Sequence, residues 1–251
     1  MIYFIGAGPG APDLITVRGQ RLLEQADVVI YAGSLVNPAL LDTTQPGCEI
    51  YNSASMTLEE VLQVMYSAEQ EGKLTVRLHT GDPSIFGAVR EQMDQLDEKG
   101  ITYESVPGVS SFLGAASSLN AEFTLPDVSQ TVILTRMSGR TPVPEKESIE
   151  SLAAHHATMA VFLSAGMLGE LSRRLISGGY QEDTPAAIVY KATWPDEIRV
   201  HTVVGSLEQA ARKYGISKTA LILVGDFLGS EYSRSKLYDP AFSHEFREAS
   251  R

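Results

Sequence analysis

The chain has little cysteine: among 251 residues Cys48 is the only one. An intramolecular disulfide and a multi-cysteine zinc site are therefore excluded, and a reducing compartment fits. Basic residues are also scarce. Lys and Arg number 20 against 31 Asp and Glu, a net charge of −11. Such a chain repels phosphate backbones and anionic lipid surfaces, so neither nucleic acid nor membrane is an expected partner. Long apolar runs are missing too; none approaches the roughly 18 residues of a membrane span. The opening Met1-Ile2-Tyr3-Phe4-Ile5 has no basic segment before it and reads as a strand rather than a signal peptide. The expectation is a soluble, cytoplasmic protein. No Gly-x-Ser-x-Gly elbow is present, so a serine hydrolase has little support. The five histidines include none at metal-ligand spacing from His79, and His155-His156 reads as surface, so no metal site is expected.

What is present is ordinary globular material, 43% hydrophobic and 20% charged. Short β-rich runs at 2–5, 27–31, 49–51, 74–78 and 102–106 alternate with helical patterns at 16–26, 58–71, 88–99 and 110–119. Thr57 can cap the second helix, with Glu59 and Glu60 favourable at its positive end. That alternation indicates a mainly parallel sheet with helices on its faces. The second half places strands at 131–135, 160–163, 186–190, 199–204 and 220–224, and helices at 146–154, 167–177 and 207–214. The connection 191–198 is too short for a helical crossover, so its flanking strands should be antiparallel neighbours and the second sheet mixed. The fold class is α/β with two α/β domains, at 1–119 and 120–229, followed by a polar tail at 230–251.

Three small-residue loops follow strands of the first half. Gly6-Ala7-Gly8-Pro9-Gly10-Ala11 satisfies the letters of a dinucleotide fingerprint. Yet Pro9 removes an N–H from the loop, Pro12 delays the helix, and the second strand ends without an acid to hold a ribose. A nicotinamide oxidoreductase rests on this loop alone, and a tight turn explains it equally well. Thr80-Gly81-Asp82-Pro83-Ser84-Ile85-Phe86-Gly87 is by itself an Asx turn leading to a helix, and Ser110 or Ser111 of Pro107-Gly108-Val109-Ser110-Ser111 is by itself a helix cap. Together the three suggest one ligand crevice at the carboxyl edge of a sheet. In the second half, Arg136 and Arg140 stand four apart in a Gly/Pro-rich loop, a solvated loop or a grip on carboxylates. Trp194, the only tryptophan, lies in the corner Ala192-Thr193-Trp194-Pro195-Asp196-Glu197 and reads as a possible core anchor.

These four segments, in this order and spacing from residue 1 to about 229, resemble the tetrapyrrole (corrin/porphyrin) methyltransferases. The segments 31–36, 53–57 and 135–144 are similar to the branch of that family that methylates C11 of precorrin-4 or cobalt-precorrin-4 in cobalamin biosynthesis. The resemblance implies an S-adenosylmethionine-dependent enzyme with its cofactor cleft between the domains, a tetrapyrrole substrate and a homodimer. Carried over by motif, Pro9, Gly81, Asp82, Ile85, Ser110, Ser111, Ser164, Ala192 and Ala220 line the cofactor site, with Thr80 and Leu163 beside them. Asp82 is the expected cofactor-orienting acceptor, with proton removal a second role, and Arg136 and Arg140 are the expected carboxylate contacts. Where related uroporphyrinogen methyltransferases carry Met in a Tyr-Met-Gly segment, this chain has Leu163-Ser164-Ala165. Competing readings are methylation at C17 or at C2/C7, diphthine synthase on the same fold, and a non-catalytic S-adenosylmethionine-binding protein.

Overall fold

The computed structural model describes residues 1–250, apart from the side chain of Ser34; that side chain, within the segment 31–36, and Arg251, the end of the tail, lie outside the described residues. The chain forms two compact units, one of Met1–Gly114 with Lys191–Asp196, the other of Ala115–Tyr190 with Glu197–Arg251. The sequence reading places the division at 119/120 and assigns 191–196 to the second domain.

The first unit carries β1 (Ile2–Gly6), β2 (Val28–Tyr31), β3 (Glu49–Asn52), β4 (Thr75–His79) and β5 (Tyr103–Val106). They form one sheet in the order β3-β2-β4-β1-β5, with every pair parallel. Its helices are α1 (Val17–Glu24), α2 (Leu58–Gln70) and α3 (Arg90–Glu98); α4 (Ser111–Leu119) begins in it and crosses the division after Gly114. A strand turns alternate residues to opposite faces, so Ile5, Val29, Val76 and Leu78 join one apolar cluster. Phe4, Val28, Ile30 and Leu96 join another, with Val61, Leu62 and Met65 of α2. Each such fully buried side chain contributes about 1.5–3 kcal/mol.

Local chemistry sets the helix ends. Thr57 accepts the Glu60 N–H at 3.3 Å while Glu60 accepts the Thr57 N–H at 2.8 Å, a capping box at the start of α2. The third helix begins at Arg90 rather than at the expected 88, because Ala88 has φ +49°, a left-handed conformation that no α-helix contains.

The second unit carries β6 (Val132–Arg136), β7 (Thr158–Phe162), β8 (Pro185–Tyr190), β9 (Ile198–Val203) and β10 (Ala220–Val224), in the order β6-β7-β10-β8-β9. Only the β6–β7 pair is parallel. The sheet is thus mixed, and β8 and β9 are antiparallel neighbours, as the short connection between them requires. Its helices are α5 (Ile149–Ala153), α6 (Leu168–Ser177) and α7 (Leu207–Lys213), and Leu171, Leu175, Leu207, Ile188 and Ile222 meet in its core. The tail folds on itself: the Arg247 guanidinium donates to the carbonyls of Leu237 at 2.9 Å and Asp239 at 2.7 Å. Among the described residues no helix is long and apolar enough to cross a membrane.

Candidate functional site

β1 lies between β4 and β5, and all three run the same way, so the loops leaving their carboxyl ends emerge side by side. These are the three loops singled out by sequence, and glycine is what lets them touch. A Cβ on Gly108 would stand 2.1 Å from the Gly81 carbonyl oxygen, and one on Gly6 would stand 2.5 Å from the Gly108 Cα. Backbone meets backbone with no side chain between.

Hydrogen bonds then lock the loops together. The Ala7 N–H donates to the His79 carbonyl at 2.7 Å, and Gly8 and Gly81 exchange N–H···O bonds of 3.3 and 2.9 Å. The Ala11 N–H donates to Thr193 Oγ1 at 2.9 Å. The N–H groups of Ala7, Gly8 and Ala11 are therefore spent inside the protein. They do not form the nest of free donors that a pyrophosphate needs.

Asp82 organises the second and third loops. Its Oδ2 accepts the Gly108 N–H at 2.8 Å, and its Oδ1 accepts the Ser84 N–H at 2.8 Å and the Ser84 hydroxyl. Burial works to raise its pKa. The Ser84 hydroxyl and the N–H groups of Gly108 and Ser84 outweigh burial, and the carboxyl titrates below its ordinary value. Asp82 is thus an ionised anchor between two loops. Beside it, Thr80 Oγ1 is buried without a hydrogen-bond partner among the described residues. Ser110 is buried at the foot of α4, and its carbonyl accepts the N–H groups of Leu113 and Gly114; Ser111 and Ile85 are half-buried.

The segment 191–196, remote in sequence, completes this unit. Ala192 is buried there, and Trp194 Nε1 donates to the Pro9 carbonyl at 3.1 Å. Pro9 also packs on Gly114, where an added Cβ would lie 2.7 Å from the proline ring. Asn37 Nδ2 donates to the Gly10 carbonyl at 2.8 Å. Asn37, Thr193 and Trp194 are missing from the site residues that sequence reasoning selects. The quoted corner 192–197 held the signal for two of them, but nothing local tells that its indole reaches Pro9.

In the second unit the carboxyl ends of β6, β7 and β8 and the start of β10 share one edge of the sheet. Leu163, Ser164 and Ala220 lie there. Leu163 leaves β7 with φ +52° and its side chain 68% exposed, a strained backbone holding an apolar residue in the open. Ser164 is fully buried: its hydroxyl donates to the Phe162 carbonyl at 2.6 Å and accepts the Met137 N–H at 2.9 Å. Its side chain joins the exits of β6 and β7. Ala220 is buried at the start of β10, after Thr219 at φ +55°.

The two arginines divide. Arg136 donates to the carbonyls of Met137 at 3.2 Å, Thr141 at 3.0 Å and Pro142 at 2.8 Å, so its guanidinium builds its own loop. Arg140 is exposed at the tip of that loop. No group of three or more His, Cys, Asp or Glu able to hold a metal occurs among the described residues.

A buried pair on β4 underlies the second loop. Arg77 is 6% exposed and donates to Gln92 Oε1 and to the Ile30 carbonyl, each at 3.1 Å; Gln92 in turn donates to the Ala88 carbonyl at 2.9 Å. His79 is 4% exposed and lies 6.2 Å from the Phe4 ring in a stacked arrangement. Burial, helped by the Arg77 charge, holds its pKa down to about 3, so it is a neutral structural histidine.

Three comparisons bear on this arrangement. The family model described as tetrapyrrole (corrin/porphyrin) methylases matches residues 1–208. The cobalt-precorrin-4 C(11)-methyltransferase of Methanocaldococcus jannaschii is 53% identical over 249 residues, covering 99% of this chain and 96% of its own. Among solved structures, the X-ray structure of a cobalt-precorrin-4 methyltransferase superposes with a TM-score of 0.89 at 52% identity, covering 91% of this chain and 96% of that one. The uroporphyrin-III C-methyltransferase of Thermus thermophilus, complexed with S-adenosylhomocysteine, superposes with a TM-score of 0.75 at 27% identity, covering 91% and 93%.

Proposed function

We propose that this chain, which belongs to the tetrapyrrole (corrin/porphyrin) methylase family, is an S-adenosylmethionine-dependent methyltransferase acting on C11 of cobalt-precorrin-4 in cobalamin biosynthesis. The observation that carries the reading is the identity above one half, end to end, with a protein named for that reaction. The superposed cobalt-precorrin-4 methyltransferase supports the same substrate. The cofactor assignment is supported by the Thermus relative, whose structure contains S-adenosylhomocysteine.

The residues present fit that cofactor. Thr80 Oγ1 is a buried polar atom awaiting a partner. The packed glycines bring the three loop backbones into direct contact, so the candidate residues on them are gathered at one edge of the sheet. Pro9, Gly81, Asp82, Ile85, Ser110, Ser111 and Ala192 are our candidates in the first unit, and Leu163, Ser164 and Ala220 in the second.

Bound there, S-adenosylmethionine would supply a methyl group already activated on a sulfonium sulfur, which an electron-rich tetrapyrrole carbon can accept directly. The protein's tasks are then alignment and exclusion of water. Asp82 fixes the relative position of two loops, and its ionised carboxylate favours a cationic ligand. Arg140 offers an exposed positive charge to the carboxylates of the macrocycle, on a loop that Arg136 holds in shape. We place the enzyme in the cytoplasm and assign it a homodimeric state, both on the family resemblance.

Calorimetric titration with S-adenosylhomocysteine, and separately with NADH, tests the cofactor. Saturable binding of the first alone is expected. NADH binding without S-adenosylhomocysteine binding would return the Gly6–Ala11 loop to a dinucleotide role and overturn the reading.

A further inference from the structure

We propose that Thr193 and Trp194 are positioning residues that hold the Pro9–Ala11 loop in the shape that binds S-adenosylmethionine; this rests on the cofactor reading above. Proline cannot donate a backbone hydrogen bond, so the loop has few means of fixing itself. Two of its remaining polar groups are satisfied from this one corner of the chain. Trp194 Nε1 donates to the Pro9 carbonyl at 3.1 Å, and Thr193 Oγ1 accepts the Ala11 N–H at 2.9 Å. Between these two bonds Gly10 lies flat against the indole, where a Cβ would stand 2.1 Å from Cδ1. The loop is gripped at both ends and pressed in the middle.

The corner itself is built rigidly and at a cost. Thr193 has φ +69° and Lys191 φ +47°, left-handed conformations that a β-branched and a long side chain rarely adopt. Joining β8 to β9 does not require them, since glycine would turn the chain without strain. What they achieve is to place a hydroxyl and an indole against one loop. Lys191 braces the indole, its Nζ 5.3 Å from the ring centroid and 2.6 Å from Asp196 Oδ2. Backbone strain of this kind persists where the surrounding structure over-determines it, and it concentrates at ligand sites.

The test uses the full chain and S-adenosylhomocysteine. Thr193→Val is close to isosteric, keeps the indole and removes the hydroxyl, donor and acceptor together; Thr193→Ser keeps the hydroxyl; Trp194→Phe keeps a ring and removes the indole donor. Thr193→Val and Trp194→Phe are each expected to weaken binding about fivefold to tenfold in calorimetry, one hydrogen bond's worth. Thr193→Ser should restore affinity to within about twofold of the wild type, which a purely structural role would not predict. The rise in KM should fall on the methyl donor and not on the tetrapyrrole. Because Trp194 is the only tryptophan, wild-type emission should also change saturably with the ligand. Wild-type affinity in both Thr193→Val and Trp194→Phe, or equal weakening in Thr193→Ser and Thr193→Val, would overturn the proposal. A wild type that fails to bind S-adenosylhomocysteine at all would instead overturn the cofactor reading, and this inference with it.

Discussion

Asp82 Oδ2 accepts the Gly108 N–H at 2.8 Å, so one carboxylate ties the loop leaving β4 to the loop leaving β5. The same side chain also accepts from Ser84, which makes it the common anchor of two candidate cofactor loops. Asp82→Ala should lower affinity for S-adenosylhomocysteine by about tenfold or more, the loss expected for hydrogen bonds to a charged group. Asp82→Asn, which keeps one oxygen, should fall between. Because the folded carboxyl titrates below its ordinary value of 3.8, its contribution is complete above that pH and is lost only as pH falls through the lower folded value. Affinity should therefore not change through Asp82 between pH 8 and 5. An Asp82→Ala variant that binds and turns over as the wild type does would remove both the anchoring and the orienting role.

Gly108 tolerates no side chain. Gly108→Ala would put a Cβ 2.1 Å from the Gly81 carbonyl, an overlap that only backbone movement relieves. The expected cost is about 1–3 kcal/mol in urea unfolding, the range for overpacking. Binding of S-adenosylhomocysteine should fall with it. A variant of unchanged stability would show that the three loops are looser than their packing indicates.

His79 should make the protein acid-sensitive. Its folded pKa of about 3 lies below the ordinary 6.5, so the unfolded chain takes up a proton first as pH falls. Stability is unaffected above pH 6.5 and declines from there toward pH 3, by about 2 kcal/mol at pH 5. Unfolding measured between pH 7 and 5 should slope less steeply in His79→Gln than in the wild type. Equal slopes would mean that His79 is protonated in the folded state or is not the group responsible.

The two arginines should separate kinetically. Arg140→Ala is expected to raise the tetrapyrrole KM several-fold and leave the S-adenosylmethionine KM and the Tm unchanged. Arg136→Ala removes the donor to three loop carbonyls and should raise the tetrapyrrole KM while also loosening residues 137–142 toward proteolysis. An unchanged tetrapyrrole KM in both would refute the carboxylate contact.

Much of the fold is legible in the sequence, because period and connection length are local properties. The alternation of strand and helix gives the parallel sheet. The short link between β8 and β9 gives their antiparallel pairing, and Thr57 with Glu60 gives the start of α2. The order β3-β2-β4-β1-β5 is not local. It is what sets the loops after β1, β4 and β5 side by side and turns three weak glycine motifs into one surface. Left-handed residues defeat the pattern at two element ends: Ala88 delays α3, and Leu163 ends β7 before the apolar run does. Side chains that serve backbone groups are hidden as well. Ser164 spends its hydroxyl on Phe162 and Met137, and Arg136 spends its fork on its own loop, where the sequence shows only a polar residue beside a site. The fold of 191–196 into the first unit is the furthest from sequence logic, since it depends on a contact with a loop at the other end of the chain.

The most direct test of the assigned reaction is incubation of the purified protein with cobalt-precorrin-4 and S-adenosylmethionine carrying a 13C-labelled methyl group, read by product mass and carbon NMR. One added methyl, S-adenosylhomocysteine in equal amount, and a single enriched methyl resonance, coupled to C11, are expected. A labelled methyl attached to another ring carbon, or tight cofactor binding with no transfer, would contradict the assigned reaction.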